Sequence, residues 1–388
     1  MSRPSVLSGG RRHRGRLGPR RPARRRRPAR RRPARRRRLT LPALAALVIV
    51  GAGVAVFLIT SASGPTAPPH ANRHAPGQLT ARSPAAHAAP PGPTVPASYG
   101  TTPAPANEQI QIHLRAALRS GILFDVHTGQ VLWARDPTRT LPIASLTKMM
   151  TALIVATLDR ANARVLITRT AVDFSGSGVG LLPLHKRVPL ESLLYGLMLP
   201  SGNDAAIALA QHVAGTQARF IAMMNARARA LGLGCTHFTT ESGIVDAGNY
   251  SCAVDLAKLA RAVLDVPRLR RIVASASAIV PFPIKGHKLY LYNNNPLYRL
   301  GYPGTDGVKT GYTTVAGVCL VTTARHGRRW LGVVLLHSAD EGDQATELLN
   351  AGFAAMRAAG AAGATGATGA AGAAGAAGAA GAAGAAGA

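Results

Sequence analysis

Acidic side chains are scarce in this chain of 388 residues: 16 Asp and Glu stand against 46 Lys and Arg, a formal charge of +30. The imbalance is uneven. Residues 1–38 hold 18 Arg and no acid, residues 39–107 hold two Arg, and residues 108–357 hold the other 26 bases with all 16 acids, a surplus of only +10. A uniformly basic nucleic-acid-binding protein is therefore a poor description. Aromatic residues make up 4%, too few for the stacking platforms that hold single-stranded nucleic acid, and nucleic-acid binding through the Arg-rich arm is disfavoured because an apolar span follows it, so no nucleic-acid partner is expected. Three cysteines exclude a disulfide-stapled miniprotein. No CxxC and no His/Cys cluster points to zinc, and no cofactor is expected.

The first 38 residues combine Arg with Pro and Ala, which repel one another and bury no core, so a disordered arm is expected. Residues 41–59 are then uncharged and apolar for 19 positions, about 28 Å as a helix, enough to cross a bilayer. An Arg cluster before one apolar span places the N-terminus in the cytoplasm and the rest outside, with the arm on the inner leaflet. Residues 39–60 are thus a transmembrane anchor, or a signal sequence cleaved near Thr60-Ser61-Ala62. Export follows either way. Residues 61–107 contain 11 Pro and read as an extended linker with a reach of about 140 Å. Residues 358–388 repeat Ala, Gly and Thr without proline and read as a low-complexity tail.

Residues 108–357 remain as one domain. Residues 110–119 suit a short helix. Ile122–Val126 and Gln130–Ala134, joined by His127-Thr128-Gly129, read as paired strands. Apolar positions spaced by three and four after Pro142 start a buried helix near Ser145. Helices are expected over Leu190–Met198, Ala205–Val213, Ala218–Leu231 and Ala253–Leu264. Strands return at Gly307–Tyr312, Ala316–Ala324 and Trp330–His337, and a last helix covers Asp343–Arg357. Strands at both ends with helices between them predict an antiparallel sheet whose first and last strands meet, with an inserted helical subdomain.

Three short motifs lie in this domain. Ser145-Leu146-Thr147-Lys148 puts a hydroxyl and an amine on one helix face, where a partly buried, neutral lysine could activate a serine nucleophile. Ser201-Gly202-Asn203 lies between two helices, where Ser and Asn also serve simply as turn and cap residues. Lys309-Thr310-Gly311 lies in a strand, with Gly311 leaving room for close approach. Each is weak alone. The ordered triple SxxK, SxN, KTG is the signature of penicillin-binding proteins and β-lactamases.

With its flanks Leu141–Thr151, Leu199–Ala206, Asn294–Leu297 and Asp306–Thr313, the domain resembles the serine D-alanyl-D-alanine carboxypeptidases, low-molecular-mass penicillin-binding proteins of the S11 peptidase type. The resemblance implies an α/β (α+β type) penicillin-binding/β-lactamase-like fold: an antiparallel five-stranded sheet flanked by helices with an inserted helical subdomain. It implies that Ser145 attacks the carbonyl between the last two D-alanines of a peptidoglycan stem peptide while Lys148 accepts its proton. Backbone N–H groups of Ser145 and Tyr312 would form the oxyanion hole. Ser201 and Lys309 would relay a proton to the leaving amine, Asn203 would orient Lys148 and the substrate amide, and Lys309, Thr310 and Thr313 would hold the terminal carboxylate. β-Lactam antibiotics would acylate the same serine.

The chain also departs from the family pattern. Many members carry a basic residue near the start of the last helix, where this chain has Ser338-Ala339-Asp340-Glu341-Gly342-Asp343. Many add a C-terminal β domain and an amphipathic anchoring helix; about 75 residues follow Gly311 here, so neither is expected and the N-terminal span does the anchoring. Cys235 and Cys252 are 17 apart in an exported domain and either form a disulfide or remain free thiols. Cys319 is expected to be an inert core residue. Two other functions compete. A β-lactamase-like hydrolase would need a glutamate-held water, and Glu241, the only Glu between Asn203 and Lys309, lies in no ExxLN-like segment. A catalytically inactive cell-wall-binding module would not need the triads intact.

Overall fold

The computed structural model describes residues 99–105 and 109–359. The Arg-rich arm, the apolar segment 39–60, most of the linker and the Ala/Gly tail lie outside the described residues. No helix among the described residues is long and apolar enough to cross a membrane.

The domain is organised on a six-stranded sheet: β1 (Thr102–Pro103), β2 (Leu118–Asp125), β3 (Gln130–Arg135), β4 (Thr305–Thr313), β5 (Gly317–His326) and β6 (Arg329–Ser338), in spatial order β1-β3-β2-β6-β5-β4. Five strands are antiparallel, and β2 pairs with β6, so the first and last long strands meet as expected. The sixth, β1, adds a two-residue parallel edge beside β3. It falls in the stretch read as linker, where Tyr99 and Ala104 are nonetheless buried.

Alternation along β2 divides the core. Ile122 and Phe124 face a large cluster with the helices α1 (Lys148–Leu158), α2 (Leu190–Met198), α3 (Asn203–Ala214), α4 (Gln217–Ala230) and α5 (Ala253–Asp265). Leu123 faces the other way, into a smaller cluster with Leu348, Leu349 and Phe353 of α6, over residues 341–359. Each fully buried side chain of this kind contributes about 2 kcal/mol of transfer free energy. Helix α1 is enclosed: Lys148 through Val155 are all buried.

The helix expected over residues 110–119 is not formed. Ile110, Ile112 and Leu114 follow a period of two and pack against the smaller cluster. The backbone is then spent elsewhere, with Ala117 O accepting from Ala339 N at 2.9 Å and Ala116 O from Gln344 Nε2 at 2.7 Å. A hairpin, Ser277–Pro281 with Lys288–Tyr292, has no counterpart in the sequence reading.

Candidate active site

Ser145 lies in a 3₁₀ turn, Ala144–Thr147, that runs straight into α1. The turn is entered through Ala144 at φ 48°, a left-handed conformation that costs a non-glycine residue energy and tends to mark functional sites. One helical step later Lys148 returns its amine to the serine, with Nζ and Ser145 Oγ 2.8 Å apart.

Two further acceptors hold Lys148 Nζ: Asn203 Oδ1 at 2.6 Å and the backbone carbonyl of Ser242 at 2.7 Å. Among the described residues no carboxylate forms an ion pair with it, and it is fully buried. Burial, then the nearby Lys309, hold its pKa well below the ordinary lysine range, while Glu241 and Asp204 pull the other way. A neutral amine has two hydrogens and one lone pair. Both carbonyl oxygens are acceptors only, so they take the hydrogens and the lone pair faces Ser145. In that neutral form the serine hydroxyl can donate to the amine across the 2.8 Å contact.

The loop that supplies Ser242 is stitched to α1 on both sides of the lysine. Thr151 Oγ1 donates to Glu241 O at 2.6 Å, and Asn249 Nδ2 donates to Thr147 Oγ1 at 2.8 Å. At φ 74° Gly243 has no room for a Cβ, which would collide with the carbonyl of Ala144.

Asn203 opens α3, and its amide also donates to Ser177 Oγ at 3.3 Å. Its neighbour Asp204 accepts from the backbone N–H of Val179 at 2.7 Å and of Gly180 at 3.0 Å. The start of α3 therefore fixes both the Lys148 amine and the Gly-rich segment 176–180. Ser201 stands just before, at φ 72°, with its loop tied down by Asn294, whose N–H donates to Leu199 O at 3.1 Å. Among the described residues Ser201 Oγ makes no hydrogen bond, so neither Lys148 nor Lys309 holds it.

β4 runs beside Ser145. A Cβ on Gly311 would sit 3.0 Å from Ser145 N and from Ile143 O, so glycine is what lets strand and turn approach. Tyr312 follows, with its side chain exposed. Lys309 is buried with its Nζ donating to Thr310 O at 2.8 Å, no carboxylate among the described residues pairs with it, and burial lowers its pKa to about 7. Thr313 is already engaged, since its hydroxyl donates to Asp246 Oδ1 at 2.8 Å and accepts from Ala316 N at 3.0 Å.

Cys235 and Cys252 form a disulfide away from this centre, their Cα atoms 5.9 Å apart, and Cys319 is a buried free thiol. Their sulfurs lie near Asp255, whose Oδ2 accepts from Cys235 N and Thr236 Oγ1. Sequence reasoning missed Ser242, Ser177, Asp204 and Asp246. The first acts through its backbone carbonyl, which no side-chain pattern reveals.

Comparison with known proteins agrees with the motifs. The family model of peptidase S11, D-alanyl-D-alanine carboxypeptidase, matches residues 106–339. The chain belongs to the S11 family. Within it, the chain is 32% identical over 244 residues to the D-alanyl-D-alanine carboxypeptidase DacF of Bacillus subtilis, covering 61% of this chain and 62% of that protein. It is 37% identical over 241 residues to DacB2 of Mycobacterium tuberculosis, covering 60% and 81%. The chain thus spans about three fifths of DacF and about four fifths of DacB2. Among solved structures it resembles the Streptomyces K15 DD-transpeptidase, with a TM-score of 0.60 at 31% identity, over 63% of this chain and 100% of that one. The penicillin-binding-protein fold is therefore that of the S11 family.

Proposed function

We propose that this chain is a serine DD-carboxypeptidase that removes the terminal D-alanine from peptidoglycan stem peptides. The observation carrying this reading is the Ser145–Lys148 contact at 2.8 Å, with both other lysine positions taken by carbonyl oxygens.

The substrate's terminal carboxylate meets protonated Lys309, which is buried and has no acidic partner among the described residues, with Thr310 alongside. Thr313 joins once its proton turns from Asp246. Ser145 Oγ attacks the penultimate carbonyl as its proton passes to the Lys148 lone pair, and the oxyanion is received by the N–H groups of Ser145 and Tyr312. The C–N bond breaks as a proton travels through Ser201 to the leaving amine, releasing D-alanine and leaving an ester on Ser145. Water then hydrolyses the ester. β-Lactam antibiotics enter the same first step. Residues 39–60 are proposed as the membrane anchor of an extracytoplasmic domain, a reading carried by the sequence alone.

The test incubates the protein with a diacyl-Lys-D-Ala-D-Ala peptide and, separately, with labelled benzylpenicillin. D-alanine release with long-lived label, both lost in Ser145→Ala, is the expected result. Rapid penicillin hydrolysis would indicate a β-lactamase-like hydrolase. Absence of label and of release would leave an inactive wall-binding module. An added amine acceptor measures transfer against hydrolysis, the activity named for the K15 relative.

A further inference from the structure

Glu241 has no part in that mechanism, yet it is 2% exposed and only one residue from the carbonyl that holds Lys148. Its Oε1 accepts from Gln217 Nε2 at 2.8 Å. Among the described residues its Oε2 accepts no hydrogen bond and no Lys, Arg or His forms an ion pair with the carboxylate. Lys148 is near enough to feel the Glu241 charge, but all three Lys148 contacts go elsewhere and burial disfavours its protonated form. Oε2 is not sealed in the core, so a group entering from solvent can reach it.

The carboxylate borders a cavity of about 300 Å³ whose other walls include Phe174, Ile207, Ile221, Ile244 and Val245. Ser242, whose backbone carbonyl holds Lys148, also lines it. Ile244 and Val245 remain exposed at 41% and 49%, an apolar approach that nothing among the described residues covers. An aliphatic chain ending in a positive charge matches both features: its methylenes pack on the apolar walls and its head meets the free carboxylate oxygen.

We propose that this cavity binds an alkylammonium group through Glu241, the group being the free side-chain amine of a diamino acid in the acyl-donor peptide. The identity of the peptide rests on the carboxypeptidase reading; the cation site does not. The substrate preference that follows is for stem peptides whose diamino side chain is still uncross-linked and charged. Acylating that amine removes the charge and enlarges the head, and both oppose entry.

The test compares two ligands, Nα-acetyl-Lys-D-Ala-D-Ala and its Nα,Nε-diacetyl form, by calorimetric titration of full-length protein carrying Ser145→Ala. The free amine is expected to bind at least tenfold more tightly. Added n-butylammonium should weaken its binding while leaving the diacetyl peptide unaffected. Glu241→Gln in the same background should bring the two affinities together. Equal affinities in the Glu241 protein, a preference for the diacetyl peptide, no binding of either, or an undiminished preference in Glu241→Gln would each overturn the proposal. D-alanine release from the diacetyl peptide by the Ser145 protein is measured separately. Its failure would count against the carboxypeptidase reading, whereas the ammonium preference stands or falls on the titrations.

Discussion

Raising the pH removes one charge on which substrate capture depends, so the alkaline side of the rate profile is a stringent test of the site. Lys309 has its pKa lowered to about 7 by burial alone, and it must be protonated to meet a carboxylate. The charged fraction of free enzyme is then about one tenth at pH 8 and one hundredth at pH 9, and kcat/KM, which reports free-enzyme pKa values, falls in step. A charge-assisted hydrogen bond is worth about 1.5–3 kcal/mol, so the fall levels off after about ten- to a hundredfold. Lys148 acts in the opposite sense. It is a base only when neutral, so activity is lost as pH falls through its own pKa. The assay is kcat/KM for D-alanine release from pH 5 to 10, in parallel with Lys309→Arg, which stays charged throughout. A flat profile between pH 7 and 9.5, or the same alkaline limb in Lys309→Arg, would refute the reasoning.

Other perturbations test the supports. Gly311→Ala puts a methyl 3.0 Å from Ser145 N, and displacing the nucleophile by even part of an ångström should slow penicillin acylation by about a hundredfold with little change in melting temperature. Asp204→Ala strips partners from the N–H groups of Val179 and Gly180, a loss of about 2 kcal/mol that should lower Tm by about 4–8 °C in calorimetry. Replacing both Cys235 and Cys252 by Ser opens a loop of 17 residues, at a cost of about 3 kcal/mol in a denaturant titration. Stability of the protein should rise from pH 7 toward 10, because Lys309 binds its proton less tightly folded than unfolded across that window.

The Ser145–Lys148 pair was legible because SxxK on a helix fixes a distance: i and i+3 share a face, and the two side chains meet directly. The sheet was legible through alternation in β2 and β3 and the return of strands after Gly307. Less could be read where the deciding group is a backbone atom or a tertiary contact. Ser242 contributes a carbonyl, and Asp204 works by gathering N–H groups from residues 24 and 25 positions away. Residues 110–119 misled because their apolar period of two was outweighed by helix-compatible composition. Thr313 was read from its motif as a carboxylate ligand, and only the fold reveals that Asp246 already takes its proton.

The account stands most directly on Ser145 being acylated with Lys148 as its base. Intact mass measurement followed by peptide mapping after exposure to benzylpenicillin tests this in one experiment. The account predicts one adduct, on the peptide containing Ser145, absent in Ser145→Ala and formed at least a hundredfold more slowly in Lys148→Met. An adduct on another residue, or one that forms at an unchanged rate without the Lys148 amine, would contradict it.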